Sequence, residues 1–190
     1  FFIVRYHFYL IKLYFRGLTR MDEHSSLQTD GLLLYTPAQR RIRDKTVWTK
    51  VQAILAPIQF VVCLFSLILV LRYLFFDVGY YLATLSIILK TSLLFLIMLT
   101  GAIWEKVVFG QYLLAPAFFW EDVVSFFVIF FHLVYLFSLI SGSFAPQNQM
   151  FLALFAYGLY FINAFQFLRK LHLARKSSNE PILTGREILE

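Results

Sequence analysis

The sequence predicts an all-α fold: an integral membrane bundle of four transmembrane helices with a basic N-terminal interfacial helix in front of it. Three observations lead there. The composition is 60% hydrophobic and only 15% charged over 190 residues, whereas a soluble domain carries about a quarter charged residues. The apolar residues are concentrated, with no Asp, Glu, Lys or Arg from Val51 to Leu71 or from Val123 to Leu168. Runs of roughly 20 such residues are long enough to cross the hydrocarbon core as helices. The basic residues gather beside these runs, the pattern that orients a membrane protein. The formal net charge of +6 therefore points to membrane lipid as a partner and away from nucleic acid.

Residues 1–34 read as a leader, either disordered or in part upstream translation. The chain opens on Phe1, its first Met is Met21, and the apolar stretch before it is broken by Arg5, His7, Lys12 and Arg16. The segment is a poor signal peptide, since its apolar stretches are short and no clean small-residue cleavage site follows. A basic interfacial helix is one reading of residues 1–20; translated upstream sequence, with Met21 as the start, is the other, and the missing Met favours it. Residues 35–176 make the membrane domain. Thr36-Pro37 reads as an N-cap followed by proline at the first helical position, and AQRRIRDK then forms a short basic helix on the headgroups. Trp48 and Thr49 mark where the chain enters the bilayer. The four spans are expected at about 50–75, 79–104, 119–140 and 149–171. Gly142 to Asn148 is a link rich in helix breakers, and residues 177–190 are a cytoplasmic tail.

The basic residues set the orientation. Nine Lys or Arg lie at or before Lys50, five lie from Arg169 onward, and Lys106 stands in the link between the second and third spans. Only Arg72 lies near the opposite face. Both termini, and the link between the second and third spans, are thus expected in the cytoplasm. Trp48, Trp104 and Trp120 fall on the basic side, while Tyr73, Tyr80 and Tyr81 mark the other.

Ionisable groups inside a bilayer cost several kcal/mol, so each requires a partner or a purpose. Lys90 is near the middle of the second span, about 15 Å from either surface. It is a counter-ion for a carboxylate or a structural pair. His132, near the middle of the third span, is an axial ligand for a tetrapyrrole metal, an acid–base group, or a hydrogen-bond partner of a neighbouring helix, Asn163 for example. Glu121, Ser125 and His132 are spaced by four and seven and share one helical face. Glu121 and Asp122 beside Trp120 fit a general acid, and they equally fit acids that offset a helix dipole. Glu105 and Lys106 end the second span as an interfacial ion pair or as part of a site. The link from Trp104 to Trp120 is apolar and aromatic, with Gly110 and Pro116 as breaks. It is expected to dip along the interface as a floor beside Glu105, Lys106, Glu121 and Asp122. Cys63 reads as an apolar filler. Walker, dinucleotide, HExxH and cysteine-cluster motifs are missing from the sequence, so no cofactor or resident metal is expected, and the chemistry narrows to what acid–base groups and water perform.

Three segments carry a resemblance: YTPAQRRIRDKTVWTKVQAILAPIQF, TGAIWEKVVFGQYLLAPAFFWEDVVS and QFLRKLHLAR. They resemble the 3-vinyl bacteriochlorophyllide hydratases, also written 2-vinyl bacteriochlorophyllide hydratases, over about Tyr35 to Arg175. The resemblance implies a hydro-lyase of bacteriochlorophyll biosynthesis that adds water to the C3 vinyl group of a magnesium tetrapyrrole, a chlorophyllide, giving a 1-hydroxyethyl group. It assigns no residue to the reaction. Joined to the residue reading, it makes Glu121 or Asp122 the acid, Glu105 the group that orients water, and His132 a ligand of the substrate magnesium or a proton relay. Lys90 becomes the partner of the ring propionate, with Trp104, Lys106, Trp120, Ser125 and Asn163 as further substrate contacts. A non-catalytic pigment-binding or assembly protein is the alternative. A small transporter fits less well, since the two helix pairs show no inverted repeat. Four short helices leave a homodimer open as the way to enclose the ring.

Overall fold

The computed structural model describes residues 34–179, with side chains through His172. The leader expected over 1–34 lies outside the described residues apart from Leu34, as does the tail beyond Asn179. The described chain forms five helices: α1 Pro37–Lys45, α2 Val47–Phe76, α3 Tyr80–Phe109, α4 Phe119–Ser141 and α5 Pro146–Asn179. The last four are long and apolar enough to cross a membrane.

Local chemistry sets most of the helix ends. Thr36 Oγ1 accepts the Gln39 amide at 3.2 Å and Gln39 Oε1 accepts the Thr36 amide at 2.9 Å, a complete capping box with Pro37 in the first turn. Thr46 is extended and caps α2 through Trp48 N, so the first span begins at Val47 rather than near 50. Gly110, at φ +83°, ends α3 in the left-handed region open to glycine. The second span therefore continues to Phe109 and carries Glu105 and Lys106 inside its helix. Pro146 takes the first helical position of α5, which shortens the breaker-rich link to Gly142–Ala145.

Short links at 77–79 and 142–145 make antiparallel hairpins of α2–α3 and α4–α5. Polar residues face inward: Gln59 and Ser66 on α2, Ser86, Lys90 and Thr91 on α3, Ser125 and His132 on α4. Phenylalanines such as Phe65, Phe127, Phe137 and Phe165 face outward. This is the arrangement lipid favours, because apolar contact alone gives helices little preference for each other over acyl chains. Polar bridges tie the helices together. Gln52 donates to Thr100 Oγ1 at 2.8 Å between α2 and α3. Ser66 meets Tyr157 at 2.7 Å between α2 and α5. Tyr80 donates to Gln149 at 2.5 Å between α3 and α5.

Candidate functional site

The carboxyl-bearing end of the bundle is built by the link Gly110–Phe118, which folds back over the ends of α3 and α4. Leu113 and Leu114 both have positive φ, at 64° and 57°, a conformation that costs an L-residue about 1–2 kcal/mol. The turn they make aims two successive amides inward. Leu114 N–H donates to Asp122 Oδ2 at 2.6 Å, and Ala115 N–H donates to Glu105 Oε2 at 3.2 Å. The two carboxyl side chains are held by successive backbone amides and so lie beside each other, and both residues are buried. Charged carboxylates this close repel each other strongly in a low dielectric.

Glu121 points elsewhere. Its Oε2 is 2.9 Å from Lys170 Nζ on α5, and Lys170 also donates to the Ala117 carbonyl. Aromatic rings wall the cluster. Trp104 and Phe118 meet edge to face at 5.5 Å between centroids, Phe109 lies 5.8 Å from each, and Phe118 stacks on Phe167. Tyr35 closes the outside by stacking on Phe109, with the Arg43 guanidinium over the Tyr35 ring, 4.6 Å from its centroid. Trp104 is fixed further by donating from Nε1 to Thr49 Oγ1 at 2.9 Å. Lys106 turns outward to the Gly110 carbonyl at 2.7 Å and the Tyr112 ring, and Trp120 is exposed.

A polar line runs inward from this end. Ser125 donates to the Glu121 carbonyl at 2.9 Å, and Asn163 Nδ2 donates to Ser125 Oγ at 2.8 Å. The interhelical bond expected between His132 and Asn163 is replaced by this one. His132 instead pairs with Lys90: Nζ is 2.7 Å from Nε2, and Nδ1 is 2.7 Å from the Val128 carbonyl. Since a carbonyl only accepts, Nδ1 carries the proton and Nε2 receives the lysine. Lys90 also stands over the rings of Tyr160 and Tyr157, and among the described residues no carboxylate is within ion-pair distance of it. Both side chains are buried. A magnesium bond to His132 Nε2 would first have to break this pair, whereas the Lys90 ammonium has further N–H groups beside the one given to His132. Ten residues separate His132 from Asp122 on α4, about 15 Å along the axis, so the two groups are not in one contact cluster.

The structure thus joins Glu105, Asp122, Trp104 and, one turn in, Ser125 and Asn163. It sets Lys90 and His132 apart and leaves Trp120 and Lys106 on the outside. Lys170, Phe118 and the amides of Leu114 and Ala115 were not among the sequence candidates. Lys170 reads in sequence only as one of the terminal basic residues, and a backbone donor has no sequence signature.

A family model for 2-vinyl bacteriochlorophyllide hydratase (BCHF) matches residues 35–173. A protein of Rhodobacter capsulatus named 2-vinyl bacteriochlorophyllide hydratase is 62% identical over 143 residues, covering 75% of this chain and 82% of that one. One of the same name from Cereibacter sphaeroides is 62% identical over 143 residues, covering 75% and 88%. No solved structure matches the chain. The matched segment spans all four membrane helices and every residue of the carboxyl cluster, and the chain belongs to the 2-vinyl bacteriochlorophyllide hydratase family.

Proposed function

We propose that this protein adds water across the C3 vinyl group of a bacteriochlorophyllide, the group its relatives' names call 2-vinyl, and that Glu105 and Asp122 carry the proton chemistry. Family membership supports the reaction. The observation that supports the residues is the pinning of two adjacent buried carboxyls by the Leu114 and Ala115 amides. Two such groups share a proton more readily than they ionise together, which makes the pair an acid in one step and a base in the next. The proton goes to the terminal vinyl carbon, leaving a cation on the inner carbon that the macrocycle delocalises. Water bonds to that carbon and returns a proton to the carboxyl pair, so the net change is one added water. Trp104, Phe109, Phe118 and Phe167 offer apolar surface for the ring edge. Glu121, neutralised by Lys170, is the less suited acid of the three.

The same reading puts the carboxyl end at the cytoplasmic face of the bacterial inner membrane. It is supported by Arg40, Arg41, Arg43, Lys45 and Lys50 at the start of α1–α2, and by Lys106, Arg169 and Lys170 at the same end of the bundle. The test is turnover. Membranes of a non-phototrophic host carrying the chain are given 3-vinyl chlorophyllide, and the pigment is analysed by chromatography and mass. A product heavier by one water, absent from control membranes, is expected. Pigment that co-purifies unchanged would replace the enzyme reading with a carrier.

A further inference from the structure

Lys90 lies inside a membrane span with no exposed surface, and an ammonium there requires an anion or an equivalent. The described chain offers no anion at its depth. Within α2–α5 the acidic residues are Glu105, Glu121 and Asp122. All three lie at the carboxyl end, where they accept from Ala115, Lys170 and Leu114.

What surrounds Lys90 instead is neutral. One N–H meets His132 Nε2 at 2.7 Å. The other N–H groups have only ring faces beside them among the described residues, with Nζ 4.3 Å from the Tyr160 centroid and 5.2 Å from that of Tyr157. Tyr157 turns its ring rather than its oxygen to the amine, because its hydroxyl is bonded to Ser66 at 2.7 Å. Ring faces attract an ammonium but carry no net charge, so two charged donors remain for an anion.

The setting suits a carboxylate on an apolar body. Lys90 and His132 meet from α3 and α4, and Glu105 and Asp122 are held side by side from the same two helices. These helices approach each other less closely than the two helices of either hairpin, so a flat ring entering between them displaces the least packing. One turn toward the carboxyl end from Lys90 and His132 stand Leu94 and Val128, both apolar and buried. The seam thus reads acid pair, apolar strip, cation, over about 15 Å along α4. A vinyl bacteriochlorophyllide has the matching order. Its vinyl group and its free propionate point away from each other on different pyrroles, with the apolar ring between.

We propose that Lys90 binds the propionate carboxylate of the substrate, so that the bundle selects the free acid of the pigment over its ester. The inference rests on the hydratase reading above. Two ammonium N–H groups donate to the carboxylate while the third stays on His132, whose Nδ1–H is fixed on the Val128 carbonyl. The ion pair sets the depth of the ring and brings its vinyl edge to Glu105 and Asp122. Lys90 is a specificity-determining residue in this scheme and His132 a positioning one; neither touches the reacting carbons.

The test compares 3-vinyl chlorophyllide with its methyl ester on the full chain in lipid nanodiscs. Binding is titrated by pigment fluorescence, corrected for uptake by empty nanodiscs, and hydration is read separately by mass. The wild type is expected to bind the acid about tenfold or more tighter than the ester, as a buried charge pair demands. In Lys90→Met the ratio should fall to near one. It should fall likewise in the double variant Lys90→Met with His132→Phe, which leaves no imidazole without its donor. A purely structural lysine would weaken acid and ester alike and leave the ratio unmoved. Equal affinity in the wild type would overturn the site without need of any variant, and a ratio preserved in the variants would overturn it as well. Acid-selective binding with no hydration would sustain the site and remove the hydratase reading. Hydration of both pigments at equal affinity would do the reverse.

Discussion

Replacing Asp122 by Asn separates acid chemistry from scaffolding. An Asn at this position keeps an oxygen to accept the Leu114 amide, which now donates to Asp122 Oδ2 at 2.6 Å, and gains an N–H for the neighbouring Glu105. The local hydrogen bonds are thus conserved, and stability should change by no more than about 1 kcal/mol. What is lost is the transferable proton. General acid catalysis contributes about 10²–10⁴-fold, or roughly 3–5 kcal/mol of barrier, and the loss in kcat should fall in that range. Glu105→Gln should behave alike, since its oxygen still accepts from Ala115. Glu121→Gln supplies the contrast. It breaks the 2.9 Å ion pair with Lys170, in which Glu121 is buried and the Lys170 side chain is 23% exposed, a change worth about 1–3 kcal/mol of stability, with kcat within a few-fold of wild type. The assay is the initial rate of vinyl-pigment loss in membranes, normalised to inserted protein. Full activity in Asp122→Asn together with a dead Glu121→Gln would refute the pairing argument and return the acid role to Glu121.

Two further perturbations test other parts of the bundle. Lys90→Met leaves His132 Nε2 buried without its donor, and His132→Phe strands the Lys90 amine; each should cost about 1–3 kcal/mol. The double variant should cost clearly less than the sum, because neither orphan remains. Additive losses in reversible unfolding from lipid would show that the two side chains act independently. Gly110→Ala meets no atom within 4 Å but forces φ +83° on an L-residue, a cost of about 1–2 kcal/mol. A melting temperature equal to wild type would show that the α3 end does not depend on that conformation.

Much of the architecture was legible because lipid leaves so few options. Charge-free runs around Cys63 and His132 can only be spans, since every backbone group in hydrocarbon must bond within its own helix. Thr36, Pro37 and Gln39 announced the first helix through a cap that needs only neighbours in sequence. The ends of spans were less legible. Glu105 reads as an interfacial charge, yet it lies within α3, which runs on to the Gly110 cap, and there its carboxyl accepts the buried Ala115 amide.

The candidate site was legible as a set of residue types and only partly as a constellation. Periodicity put Glu121, Ser125 and His132 on one face of α4, and all three are buried. It also suggested one continuous stripe of chemistry. In the folded chain, neighbours on other helices divide that stripe: Lys170 takes Glu121, Asn163 takes Ser125, and Lys90 takes His132. Asp122, one residue off the stripe, is the side chain held beside Glu105 by the successive amides of Leu114 and Ala115.

By itself, then, the amino-acid order determined the class of protein, the number of spans, their polar faces and the family resemblance, all of which depend on local composition and spacing. The tertiary structure alone decided which polar group meets which. Helix rotation and register place residues such as Glu121 and Lys170, 49 positions apart, within bonding distance, and the left-handed pair Leu113–Leu114 turns two backbone amides toward two carboxyls. A one-dimensional pattern carries the face a side chain occupies; it does not carry the face that packs against it.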